Sequence, residues 1–287
     1  MDLGLHALGI GSGARRPIID AVGREAEARG FTTLWSGEHV VMVDESQSRY
    51  PYSADGQIAV PADADWLDPL IGLSFAAAAT TTIRVATGVM LLPEHNPVIV
   101  AKQAASLDVL SGGRLTLGIG VGWSAEEFAA LGVPFSGRGR RMDEYVEAMR
   151  TLWRDDVASY EGSTVRFDRV RVNPRPLRDR RIPIVIGGNS ETALRRVVRF
   201  GDGWYGFNLT PSEALERLGA LRGMCESAGR DPVSLRTSVA VIDPTPAQRD
   251  ELEGAGLDEL VLVAGPPDRE ADVSGWLDAL AEGWLVG

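Results

Sequence analysis

The 287-residue chain contains one cysteine and three histidines, and its only lysine is Lys102. Each scarcity closes off a class of chemistry. With Cys225 alone, no intramolecular disulfide or multi-cysteine metal site can form; it falls in a helical pattern, where a small buried residue is expected. Lys102 sits inside a predicted helix, not at a strand end, which sets Schiff-base chemistry aside. His6, His39 and His95 follow three separate strands or their ends, and no H-x₃-H or HExxH pair exists, so no metal site is expected. Basic side chains are short as well. Lys and Arg total 29 against 40 Asp and Glu, a net charge of −11, and such a surface does not suit the phosphates of a nucleic acid. Long apolar runs are lacking: the most apolar stretch, Leu73 to Leu92, is broken by Thr80–Thr82 and Arg84, so no membrane span is expected. The opening MDLGLHALGIG has neither the basic start nor the apolar core of a signal peptide. A cytoplasmic protein is the expectation.

What the chain does have is alternation. Short apolar strands (LGLHALG, FTTLWS, IRVATGV, RLTLGIGVG, IPIVIGG, GWYGFN, SLRTSVAVI and DELVLVAG) alternate with amphipathic helices. Helix signals are explicit. Asn96 can cap a helix that Pro97 begins, and Thr210–Glu213 and Thr245–Gln248 are capping boxes. Met142, Tyr145, Val146, Met149, Leu152 and Trp153 recur at three- and four-residue steps. The last helix is predicted over about Arg269 to Ala281. Eight strand–helix units fit a single-domain (β/α)₈ TIM barrel over residues 1–287. Two insertions interrupt it: a lid-like segment at about 44–66 and a short-strand excursion at about 158–176. An open doubly wound sheet is the alternative, weakened by the absence of GxGxxG in the first strand–helix turn.

A barrel sorts its polar residues, because loops that follow strands line the catalytic face. Glu38 and His39 follow the second strand, Glu94 and His95 the third, GVGWSAEEF the fourth and GGNSET the fifth. Asp202 precedes a strand and reads as a turn residue. In the fifth-strand loop, Gly187 and Gly188 let a ligand approach the backbone and Ser190 opens a helix, a physically reasonable phosphate site. His39 is the strongest candidate for proton chemistry.

As an ordered set, TTLWSGEHVV, the segment from IRVATGVMLLPEHNP to GVGWSAEEFAALGVPF, RMDEYVEAMRTLW and IPIVIGGNSETALRRVVRFGDGW resemble the luciferase-like monooxygenase superfamily. Within it, the likeness is to the actinobacterial branch of oxidoreductases that use the deazaflavin coenzyme F420. The match runs from the first strand to about Asn208; beyond it only the order of elements agrees. The resemblance implies a TIM barrel, usually dimeric, with the cofactor at the C-terminal mouth of the strands. It implies that His39 stands near the hydride-carrying carbon, with Glu38 orienting His39 or contacting the cofactor where relatives have Asp. It also implies a cis peptide bulge at Gly88–Val89 behind the ring. Gly187, Gly188, Ser190 and Glu191 match the loop that holds the cofactor phosphate, and Glu126 matches a cofactor-contacting position.

Trp123 stands where sugar-phosphate-oxidising relatives carry a catalytic Glu. An indole cannot accept a proton, so that reaction is not expected, and Trp123 reads as an apolar or stacking wall. Tyr50, Tyr52 and Trp66, in or next to the insertion, would shape the same small-molecule substrate pocket. Two other readings keep the fold. One replaces F420 by FMN and makes the chain a two-component monooxygenase fed by a separate reductase; the other is a flavin carrier without activity.

Overall fold

The strands are short and apolar on both faces because helices cover the outside of the barrel and side chains fill the inside. In a computed structural model, which describes residues 1–282 and Trp284, the barrel strands are β1 (Asp2–Leu8), β2 (Thr33–Ser36), β3 (Arg84–Thr87), β4 (Leu115–Ile119), β7 (Ile184–Gly187), β8 (Gly203–Leu209), β9 (Arg236–Val241) and β10 (Glu259–Val263). They close in the order β1-β10-β9-β8-β7-β4-β3-β2, and all pairs are parallel. The remaining two strands, β5 (Ala158–Glu161) and β6 (Arg166–Val170), form an antiparallel hairpin outside the barrel. It lies within the predicted excursion. The chain is a (β/α)₈ barrel.

The two-residue period of the strands splits the core in two. Trp35, Ala86, Val185, Tyr205, Ala240 and Val261 make one buried cluster, with Val89 and Phe207 against it. Their neighbours in sequence, such as Leu34, Val85, Ile184, Ile186, Trp204 and Val239, belong to the larger cluster shared with the helices. Each fully buried Leu or Ile contributes about 1.5–3 kcal/mol relative to exposure.

The helices are α1 (Arg16–Ala28), α2 (Pro69–Ala79), α3 (Pro97–Leu110), α4 (Ala125–Ala130), α5 (Arg138–Arg154), α6 (Glu191–Phe200), α7 (Pro211–Ser227), α8 (Pro246–Gly254) and α9 (Val273–Ala281). Asn96 caps α3 by accepting from Val98 N at 2.9 Å. Both predicted capping boxes are formed, at α7 and α8. Trp153 of α5 is buried and donates its indole N–H to Ala101 O at 2.9 Å, tying α5 to α3. Cys225 is buried in α7, and Asp202 accepts from Ile184 N at 2.9 Å below the barrel.

Three expectations need correction. The last helix starts at Val273, not Arg269, because Glu270–Asp272 forms a separate 3₁₀ turn. The segment Pro232–Ser234 is likewise a 3₁₀ turn capped by Asp231, so β9 starts after it. The loop after β4 contains a helix that no apolar periodicity announces: α4 is six residues long and is capped by Ser124. No described helix is long and apolar enough to cross a membrane.

Candidate active site

A cavity of about 440 Å³ opens at the C-terminal ends of the barrel strands. His6 from β1, Gly37–His39 after β2, Gly88 and Val89 after β3, Gly187 and Gly188 at β7, and Tyr205, Phe207 and Asn208 of β8 contribute to its wall. Residues 50–60 roof it. The segment between β2 and α2 has no helix or strand of its own, apart from a bridge between Ile10 and Trp66.

His39 is placed by β2 and held by α4. Its Nδ1 lies 2.8 Å from Oε2 of Glu127, a side chain with no solvent exposure. The other carboxylate oxygen of Glu127 accepts from Val40 N at 2.7 Å and Val41 N at 3.3 Å. These backbone bonds fix the loop that carries the imidazole. An acceptor on Nδ1 selects the ring orientation and leaves Nε2 for other partners. Glu38 does not perform this task. It points the other way, accepting from Leu91 N at 2.6 Å and lying 3.0 Å from His95 Nε2. Side chains at successive residues leave an extended backbone on opposite sides, so Glu38 and His39 each find a different partner.

Between these two acid–imidazole pairs lies Glu94, buried, with neither carboxyl oxygen hydrogen-bonded among the described residues. Burial, then the charges of Glu127 and Glu38, push its pKa up to about 9. It is a neutral acid at pH 7. Burial pulls the His95 imidazole down, but Glu38 beside it more than reverses this, so the ring titrates above its ordinary value.

The Gly88–Val89 peptide is cis, as the resemblance implies. Glycines make the room for it. A Cβ on Gly187 would stand 2.6 Å from Val89 Cγ1, and one on Gly120 would stand 2.7 Å from Val89 Cγ2. Gly188, at φ +119°, turns the chain out of β7 toward α6, a conformation that suits only glycine. Gly187 and Gly188 therefore line the cavity, whereas Ser190 and Glu191 do not. Ser190 is exposed and caps α6 through Ala193 N, and Glu191 pairs with Arg195. The cavity reaches the glycines, and the helix start lies beyond its rim.

Glu126 is also absent from the wall. From the first turn of α4 it reaches the insertion, accepting from Gln47 N at 2.7 Å and Ser48 N at 3.1 Å. Ser48 Oγ accepts in return from Ala125 N at 3.0 Å. These bonds latch the lid. The other end of the lid is held by Asn208, whose amide donates to Tyr52 O at 2.6 Å.

The four aromatic candidates come together. Trp66 and Trp123 stand edge-on to His39, with ring centroids at 4.9 and 5.6 Å. Tyr50 meets Trp123 at 5.3 Å, Tyr52 meets Tyr50 at 5.4 Å, and Phe207 meets Tyr52 at 5.6 Å. The series ends on His6, 5.9 Å from Phe207. Burial, reinforced by Tyr52, drives the Tyr50 hydroxyl well above its usual range.

His6, considered above only as a metal ligand, is also a wall residue. Its Nδ1 lies 2.7 Å from the Tyr205 hydroxyl, and burial lowers its pKa to about 4, so the ring is neutral. Its position on an inward-facing strand register, beside the mouth, was the available signal. Glu127 gave none, since it lies 88 residues from its partner.

The luciferase-like monooxygenase family model matches residues 7–272. The chain belongs to that family. An uncharacterized protein of Mycobacterium tuberculosis is 34% identical over 255 residues, 88% of each chain. Among solved structures, the monooxygenase RslO1 from Streptomyces bottropensis superposes with a TM-score of 0.79 at 20% identity, over 99% of both chains. The coenzyme F420 dependent tetrahydromethanopterin reductase from Methanopyrus kandleri gives 0.75 at 17%, over 99% of this chain and 98% of that one. These two likenesses are of fold. Members of the family are oxidoreductases, and the barrel, its mouth and the chain's family agree.

Proposed function

We propose that this family member transfers a hydride between the deazaflavin F420 and a small organic substrate. The observation that carries the reading is His39, held by a fully buried Glu127 at 2.8 Å, in one cavity with the cis Gly88–Val89 bulge and the Gly187–Gly188 turn. The residues suit a flat tricyclic head. Glycines at 120 and 187 seat Val89 deep enough to leave a smooth floor, and no side chain projects from 88, 187 or 188. In this reading Gly88 and Val89 back the ring, and the Gly187–Gly188 turn leading to Ser190 and Glu191 receives the phosphate at the N-terminus of α6. Glu38 contributes by fixing the Leu91 backbone beside the wall, and Glu126 by closing the lid.

When bound, the cofactor supplies the two-electron redox chemistry. The chain supplies orientation, exclusion of water and a proton at His39 Nε2. Glu127 holds Nδ1, so Nε2 can give or take that proton at the substrate heteroatom. FMN has the same three-ring head and ribityl phosphate. With FMN the chain would be a monooxygenase that needs a separate reductase.

The test is anaerobic turnover with F420 across nitro, enone and alcohol substrates, for the wild type and His39→Ala. The expected result is F420 turnover by the wild type and a loss of about 10²–10⁴-fold in His39→Ala, with cofactor affinity kept within a few-fold. Equal turnover by the variant would remove His39 from the chemistry. Activity only with reduced FMN and oxygen would establish the second reading instead.

A further inference from the structure

The cavity offers little charge compensation. Among the described residues, no arginine or lysine lines it, although the chain carries 29 of them. The two guanidinium groups near its approaches are committed elsewhere. Arg49 donates to Asp55 O at 3.0 Å, and Arg138 donates to Gly122 O at 3.0 Å while stacking on Phe135 at 3.8 Å. Carboxyl groups are close, with Glu38 in the wall and Glu127 directly behind His39.

The remaining surface is a run of aromatic rings from Trp66 through Trp123, Tyr50 and Tyr52 to Phe207. Tyr50 and Tyr52 also line the cavity, and burial keeps both hydroxyls protonated. Both are neutral donors. An anionic substrate would give up its hydration here with no arginine or lysine to replace it, and any charge on the His39 imidazole is already matched by Glu127. A neutral ring would gain edge and face contacts with these aromatic side chains.

We infer that the substrate is a neutral aromatic or alicyclic molecule with an uncharged hydrogen-bonding group, such as a carbonyl, nitro or hydroxyl, and that the aromatic wall, without arginine or lysine, excludes carboxylates and phosphates. The inference rests on the oxidoreductase reading and narrows it. The ionic part of the cofactor is not at odds with it, because Ser190 at the start of α6 is exposed and outside the cavity lining.

Two probes of one shape isolate the charge: 4-acetylbenzamide and 4-acetylbenzoate, titrated by saturation-transfer NMR into protein already loaded with F420 or FMN. The amide should bind at least about tenfold more tightly, a ratio that corresponds to about 1.4 kcal/mol. Placing a cation in the lid part of the wall by Ile58→Arg, or by Val60→Arg should the first variant not fold, should shrink that ratio to about threefold or less, or reverse it. Equal binding of the two probes, tighter binding of the benzoate, or binding of neither overturns the inference while leaving the cofactor reading intact. An unchanged ratio in the arginine variants overturns it too, since charge would not be the cause. Failure of both cofactors to bind removes the reading and this inference together.

Discussion

At the scale of single residues, Glu94 and His6 pull on stability in opposite directions. Glu94 titrates near 9 in the folded chain and near 4.5 when unfolded, so the folded state holds its proton over that interval. Its contribution is complete below the unfolded value and is lost as pH rises toward 9. His6 titrates near 4 when folded and near 6.5 when unfolded, so stability is lost as pH falls through that window. Above pH 6.5 only the Glu94 slope remains of the two. Glu94→Gln should therefore melt about 2–4 °C higher at pH 8.5, with little change at pH 5. A calorimetric pH series on both proteins checks this, and parallel curves would contradict it. His39 could be singled out from sequence because strand-following loops face the mouth. Its true partner could not, because Glu38 is adjacent in sequence but faces His95, while Glu127 arrives from a different element.

At the scale of elements, the lid between β2 and α2 is held by backbone bonds to one half-buried carboxylate. Glu126 accepts from the amides of Gln47 and Ser48, and the Ser48 hydroxyl with these amides holds its pKa down to about 2. Glu126→Ala should free those amides. Hydrogen exchange over residues 44–66 should speed up by about tenfold or more, with the barrel strands unchanged, since a lost hydrogen bond to a charged group is worth about 1.5–3 kcal/mol. Unchanged exchange in the lid would show that Asn208 and the aromatic contacts suffice. The barrel elements themselves were legible, because strand alternation, Asn96–Pro97 and the two capping boxes are local signals. Helix α4 was not, since six residues are too few to show a period, and the contact of Glu126 with the lid therefore has no sequence signal.

At the scale of the molecule, α2 and α3 present apolar faces outward. Ile71 and Phe75 lie one turn apart on α2 at 59% and 42% exposure, and Ile99 and Leu110 lie on α3 at 57% and 78%. A stripe of this kind is what a second copy of the chain would cover, in line with the homodimer that the resemblance implies. Light scattering should give twice the 30.8 kDa chain mass for the wild type and the single mass for Ile71→Glu/Phe75→Glu. A monomeric wild type would remove the dimer from the account. The barrel and the family were readable in the sequence, whereas this face was not distinguished from core, because helices that are apolar all round look buried.

The central claim, a deazaflavin held against the Gly88–Val89 bulge and served by His39, is tested most directly by titrating the purified protein with F420 and separately with FMN. Intrinsic tryptophan fluorescence is the readout, since Trp66 and Trp123 line the cavity. The account predicts saturable quenching by F420 at about micromolar concentration or below, and FMN binding at least about tenfold weaker. The reverse preference would contradict the hydride-transfer reading and direct attention to a partner reductase. Binding of neither would leave the barrel as described and remove both redox readings.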